Sequence, residues 1–408
     1  MAVTGSITTR FIDEKGVDLG KTLIEKDYLI SVYPNLLNQF DTPMLMTWGA
    51  NANGQLGDNT VTKSSSPIQT VAWGANWKQA SCGYYHVAAI KTDGTLWCWG
   101  DNSSYGHLGD NTTTKRSSPV QTIAFGTNWK QVACGRLHTA AIKTDGTLWC
   151  WGFNYSGGLG DNTSTSRSSP VQTIAFGTNW KQVACGSYNT TVATKTDGTL
   201  WTWGSNGAGQ LGNNTIVPRS SPVQTIAFGT NWKQVAAGPQ ANYNCTVAAI
   251  KNDGTLWTWG NGGYGSLGDN TIVSKSSPVQ TIAYGTNWKQ VSASADHIAA
   301  IKTDGTLWCW GSNGYGKFGD NTTASKSSPV QTIAYGTNWK QVSAGRTHTA
   351  CVKTDGTLWC WGGNSDGGLG DNTAVNKSSP VQTILYGNNW KQVSVFFGNT
   401  FAIKDGDF

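Results

Sequence analysis

From residue 44 onward the chain repeats one pattern of apolar and polar positions seven times. One copy begins with His138-Thr139-Ala140-Ala141-Ile142-Lys143 and continues with Thr147-Leu148-Trp149-Cys150-Trp151, two short runs rich in strand-forming residues. Thr144-Asp145-Gly146 joins them, a hairpin signal because glycine supplies the positive φ such turns need. A glycine-rich loop leads to Ser169-Pro170-Val171-Gln172-Thr173-Ile174, and Phe176-Gly177-Thr178 turns the chain into Asn179-Trp180-Lys181-Gln182-Val183-Ala184. The pattern predicts four antiparallel strands per repeat, at positions A, B, C and D in chain order. Strands this short cannot bury both faces alone, so the units must stack as blades.

Two markers fix the count. The Trp-Gly pair closing position B falls at Trp48, Trp99, Trp151, Trp203, Trp259, Trp310 and Trp361, and Asn-Trp-Lys-Gln carries Trp77, Trp129, Trp180, Trp232, Trp288, Trp339 and Trp390. The first unit lacks its own A strand and opens at Met44–Gly49, a degenerate B strand, whereas the chain stops at Phe401–Gly406, an A strand and its turn. Pairing these half-hairpins closes seven blades and removes both open edges, the liability of an unclosed sheet. The expected fold is all-β: a seven-bladed β-propeller over residues 44–408, closed by its N- and C-terminal strands.

Residues 1–43 lie outside the repeat. Ile7–Asp13 predicts a strand and Lys21–Tyr33 a short helix ended by Pro34. An arm this small cannot fold alone. It is expected to dock on a partner through Phe11, Leu23, Ile24, Tyr28, Leu29 and Val32.

Composition narrows the function classes. No apolar run approaches the ~18 residues of a membrane span, and the first ten residues lack a signal-peptide core, so a cytoplasmically made chain is expected. The net charge of +6 comes mostly from lysines and arginines recurring as Lys130, Lys143 and Arg167 do. Acidic residues recur the same way at Asp145 and Asp161, which argues against a basic stripe and a nucleic-acid partner. The nine cysteines read as small filler: Cys98, Cys150, Cys309 and Cys360 occupy the site of Thr202 and Thr258, and Cys134 and Cys185 that of Ala237 and Ala344. His86, His138, His297 and His348 sit at equivalent repeat positions, so a ring separates them instead of gathering a triad or metal site. The expectation is a non-enzymatic module with no cofactor and no metal, its periodic tryptophans forming the core.

Gln131-Val-Ala-Cys-Gly-Arg-Leu-His-Thr-Ala-Ala-Ile142, then Asp-Gly-Thr-Leu-Trp-Cys-Trp-Gly and Gly-Gly-Leu-Gly, resembles the repeat of the regulator-of-chromosome-condensation family. The resemblance implies a seven-bladed propeller. In that family one branch exchanges nucleotide on a small GTPase and engages chromatin with a basic tail and an inserted wedge. Here residues 1–40 mix both charges, and no repeat interval has room for a wedge. A light-sensing branch carries Trp between Gly and Arg-His-Thr, whereas this chain has Gly135-Arg136-Leu137-His138 and Gly345-Arg346-Thr347-His348. The arm Phe11-Ile-Asp-Glu-Lys-Gly-Val-Asp-Leu-Gly20 resembles the opening of phage-encoded members of the family. That likeness implies a virion appendage, a tail or neck fibre or decoration protein held to other virion proteins by residues 1–43. The alternative is a cellular regulator binding a small GTPase or chromatin.

The seven units differ from one another mainly in their B–C loops, such as Asp101–His107 and Ser312–Lys317, and in the D–A loops, such as Tyr84–His86 and Val395–Asn399. In a meander the chain reverses at each turn, so both loop sets share one face of the disc. Tyr, Ser, Gly and Asn with occasional Arg is a recognition mixture. The expected binding residues are Tyr84, Tyr85, Tyr105, Arg136, Tyr155, Tyr188, Tyr243, Tyr264, Tyr315, Arg346, Phe396 and Phe397, displayed to a host-surface glycan or protein.

Overall fold

The computed structural model describes residues 7–12, 18–24, 43–71, 76–123, 126–174, 177–187, 189–226, 229–238, 245–282, 285–294, 296–332, 336–385 and 387–405. Seven four-stranded antiparallel sheets make the propeller. A representative blade orders Trp129–Cys134, His138–Lys143, Leu148–Gly152 and Arg167–Gln172. The D strand of one repeat is thus the innermost strand of the next repeat's blade, because residues from all seven D strands line the central channel. The last blade joins both ends of the propeller: Trp390–Phe396 and Asn399–Lys404 pair with Met44–Gly49 and Ser64–Gln69, in register from Met44 opposite Lys404 to Gly49 opposite Asn399. Two strands from each end close the ring.

The arm departs from expectation in one element. Ile7–Ile12 is a strand, but Asp18–Ile24 is its antiparallel partner and not the start of a helix, with Ile7 opposite Ile24 and Thr8 opposite Leu23. Gly20 and the β-branched Thr22 and Ile24 disfavour a helix, and the Ile7-Thr8-Thr9 run offers a ladder partner that no helix could use. Phe11, Leu23 and Ile24 lie on this hairpin, whereas Tyr28, Leu29 and Val32 lie outside the described residues.

Core packing follows the repeat. Each blade pairs its D-strand and Trp-Gly tryptophans, with ring centroids 5.8–6.3 Å apart. The indole N–H of every Trp-Gly tryptophan donates to a carbonyl in the preceding blade's B–C loop, at 2.7–3.0 Å. Gly109 makes that approach possible: its φ is +69°, and a Cβ there would sit 2.8 Å from the Trp151 nitrogen. A third rank, Trp149 and its counterparts, is only half-buried. In the six blades where that rank is present, the ammonium of Lys143 or its equivalent lies between two indoles, 4.4–5.2 Å from the ring centres.

Around the channel, seven glutamines tie the innermost strands together. Gln79 accepts from the Val132 N–H and donates to the Val132 carbonyl. Gln131, Gln182, Gln234, Gln290 and Gln341 repeat the bridge, and Gln392 to Ala80 completes the circle.

A second tie explains the histidines. Nε2 of His86, His138, His297 and His348 meets the hydroxyl of Thr139, Thr191, Thr349 and Thr400 in the following blade, at 2.8–3.1 Å. Each of those threonines donates its one proton to a B–C loop carbonyl, so the histidine must be the donor and carries its proton on Nε2. The pairing holds around the ring: where Thr190, Thr246 or Asn399 replaces the histidine, the following blade carries Val247, Ile298 or Val87 in place of threonine.

Candidate functional site: the variable face

The B–C loops are rigid at the base and exposed at the tip. Asn154 is fully buried and donates to Asp161 Oδ1, Thr163 O and Thr165 O, while its own carbonyl accepts from the Leu159 N–H. Asn51, Asn102, Asn206, Asn313 and Asn364 do similar work, and their recurrence three positions after the Trp-Gly tryptophan was the signal for it. Gly262 takes the place in the fifth unit, whose loop winds into a short 3-10 turn with Tyr264 at φ +60°. On these scaffolds Tyr155, Tyr264 and Tyr315 stand 73%, 62% and 51% exposed. Tyr105 is half-buried, edge-on to Phe153 with centroids 4.6 Å apart.

The D–A loops build the centre of the same face. Tyr84 stacks on Phe397 at 4.5 Å, meets Tyr85 edge-on at 4.1 Å and lies 5.7 Å from Phe396. The Arg136 guanidinium covers the Tyr84 ring at 4.8 Å, and Arg346 covers Phe397 at 5.0 Å while donating to the Tyr84 hydroxyl at 3.2 Å. Six of the residues expected from sequence therefore form one aromatic and guanidinium cluster drawn from four blades. Tyr84 and Phe396 are its buried floor, at 7% and 2% exposure, leaving the half-buried Tyr85, Phe397, Arg136 and Arg346 as its accessible part. Tyr188 and Tyr243 lie outside the described residues.

Beside the cluster is a pocket of about 380 Å³ reaching from Tyr315 and Ser312 to Arg346, Asp366 and Phe397. Its wall holds an ion pair that sequence reasoning missed: buried Lys317 donates to Asp296 at 2.7 Å. Burial alone would raise the Asp296 carboxyl, but the His297 ring and the Lys317 ammonium outweigh it and hold the group at about 2. Burial lowers Lys317, against the pull of Asp296. Burial likewise pushes the Tyr85 phenol up to about 12, with Tyr84 adding to the shift. Near neutral pH Asp296 is therefore ionised and the Tyr85 phenol neutral, which gives this part of the face a fixed polarity. Among the described residues no three His, Cys, Asp or Glu side chains converge on a point where a metal could sit, and all nine cysteines are buried and unpaired.

A closed propeller with its varied loops gathered on one face, over a rigid repeat, defines a binding and regulatory module. The RCC1-like domain matches residues 125–407, and the regulator of chromosome condensation (RCC1) repeat matches residues 45–90 and 93–142. The chain belongs to the RCC1-like family of propellers. It is 31% identical to the Arabidopsis thaliana ultraviolet-B receptor UVR8 over 83% of this chain and 77% of that protein. It is 28% identical to human E3 ubiquitin-protein ligase HERC2 over 68% of this chain but only 6% of HERC2. Among solved structures, human WBSCR16 superposes with a TM-score of 0.79 at 20% identity, covering 90% of this chain and all of that one. Yeast RCC1 (Prp20) bound to Kap60 superposes with a TM-score of 0.79 at 17% identity, covering 92% of each. These two likenesses establish the fold alone. Among the described residues no helix is long and apolar enough to cross a membrane.

Proposed function

We propose that the chain is a protein-recognition module of a cellular regulator, and that it binds its partner with the variable face. The cluster of Tyr84, Tyr85, Phe397, Arg136 and Arg346 carries this reading, because Tyr and Arg packed at the centre of a face are the residues on which binding energy concentrates. The exposed Tyr155, Tyr264 and Tyr315 form its adaptable rim. UVR8 and HERC2 are cellular proteins, and a second yeast Prp20p structure is described with its binding to Gsp1p and histones. That company favours the regulator of a small GTPase or chromatin component over the virion appendage, with its virion and host-surface partners. Residues 1–43 remain, in this proposal, the segment that docks to a further subunit.

The test measures binding of the full chain to a purified small GTPase and to histone octamers. Replacing Tyr105, Tyr155, Tyr264 and Tyr315 with Ala should weaken binding by about 1–2 kcal/mol per contacting tyrosine, with thermal unfolding nearly unchanged. Matched changes of Thr147 and Thr199 in the opposite turns should alter stability more than binding. Unaltered affinity of the tyrosine variant for a partner that the parent binds would sink the proposal.

A further inference from the structure

The face opposite the variable loops carries its own pattern, which composition alone presents as evenly spread charge. In each blade the innermost strand holds a β-bulge, since Trp129 pairs with Lys143 and Gln131 with Ile142, leaving Lys130 as the extra residue. Bulges re-aim side chains. The equivalent lysines, Lys78, Lys130, Lys181, Lys233, Lys289, Lys340 and Lys391, are all exposed. Each sits one residue from where its innermost strand begins, next to the C–D turn, so the seven together ring the channel mouth on the face away from the variable loops.

In Trp-Lys-Gln, the tryptophan packs between strands and the glutamine bridges to the next blade. The lysine, by contrast, makes an ion pair within the chain in the last blade alone among the described residues. Among the described residues, Lys391 alone has a carboxylate partner, Asp405 at 2.7 Å, and no carboxylate lies within 4 Å of the other six. Further from the axis, the exposed turn aspartates, Asp93, Asp145 and their counterparts, are held below the usual carboxylate range by hydrogen bonds from the following threonine and by the neighbouring strand-A lysine. That outer annulus is balanced by Lys91, Lys143 and their equivalents, whereas the inner ring is not. The excess positive charge of this face is therefore concentrated on the axis.

We propose that this mouth binds a compact polyanion, a small molecule bearing several phosphate or sulfate groups around one centre. A ligand seated on the axis meets the ring of ammonium groups with only Asp405, the partner of Lys391, among the aspartates beside it. A flat membrane or a nucleic-acid duplex laid across the disc meets the aspartate annulus as well, so the concentric arrangement selects against both. The site is independent of the variable face.

Titration calorimetry of the full chain with inositol hexakisphosphate tests this at several salt concentrations. One ligand should bind per chain, more tightly than inorganic phosphate, and affinity should fall as salt rises. The triple variant Lys130→Gln, Lys233→Gln, Lys340→Gln should lose about tenfold in affinity, as three exposed ion pairs would give. A control triple variant on the C strands, Lys275→Gln, Lys326→Gln, Lys377→Gln, should lose less than half as much on the logarithmic scale. If the first variant does not fold, Lys233→Gln alone serves the same comparison. Absence of binding at millimolar ligand overturns the proposal, and so does an equal loss in the control. Tighter binding of the parent to phosphatidylserine vesicles or to a DNA duplex than to the hexakisphosphate also overturns it, in favour of an extended surface.

Discussion

Acid should dismantle this propeller well above the pH at which its carboxylates titrate, and the four inter-blade histidines are the reason. Burial holds His138 and His348 at about 3 and His297 at about 4, against an ordinary value of 6.5, and lowers His86 in the same direction. Each ring is locked as a donor to a threonine that has already committed its own proton, and Nδ1 of His86 and His138 has no partner among the described residues. The folded state therefore offers no welcome to a second proton. Because the folded value lies below the unfolded one, the unfolded chain takes up the proton first. Stability is then complete above about pH 7 and is lost as pH falls through 6.5 toward 3–4. At pH 5 a group that titrates near 6.5 unfolded and near 3 folded disfavours the native state by roughly 2 kcal/mol. His138, His297 and His348 together amount to about 6 kcal/mol, with His86 adding in the same direction, comparable with the ~5–15 kcal/mol that holds a typical domain together. Urea unfolding from pH 8 to pH 4.5 should show the midpoint falling steeply below pH 6.5, with a limiting uptake of about four protons. The double substitution His138→Thr, Thr191→Val reproduces the pairing found at Thr190 and Val247, and should reduce that uptake by about one. A pH dependence that stays flat to pH 5, or is untouched by the double substitution, would refute the assignment of these histidines as buried neutral donors.

Deleting Thr400–Phe408 removes the strand opposite Met44–Gly49 and the hydroxyl that receives His348. It should open the ring and cost several times what trimming a free tail costs, read as a large fall in melting temperature; an unchanged melt would argue against closure by these strands. Gln182→Leu leaves the Val235 N–H and C=O without their bridge and should cost about 1–3 kcal/mol by chemical denaturation. A loss below 0.5 kcal/mol would mean that the glutamine ring merely decorates the channel. Gly109→Ala forces a Cβ against the Trp151 nitrogen at positive φ and should destabilise by about 2 kcal/mol or more; tolerance of alanine there would contradict the close inter-blade approach.

The repeat period, the strand positions, the closure by split hairpins and the shared face of the variable loops were all legible in the chain, because each rests on local periodicity and on reversal at every turn. Tyr155, Tyr264 and Tyr315 are exposed as their loop-tip position implies. What escaped the sequence depends on which neighbour a residue meets across a blade boundary some fifty residues away. Tyr84 and Phe396 look like display residues but become a buried floor, since the last blade brings Phe396 and Phe397 beside the first. Residues 21–24 read as the start of a helix from their apolar spacing, yet a strand at Ile7–Ile12 claims them. The four histidines were placed by sequence as equivalent and separate, but their tautomer, their threonine partners and their depressed pKa values come from burial between blades. Charge followed the same rule: the chain states how many lysines recur, and only the closed ring decides that seven of them surround one opening, because proximity around an axis is a property of the circle and not of any single repeat.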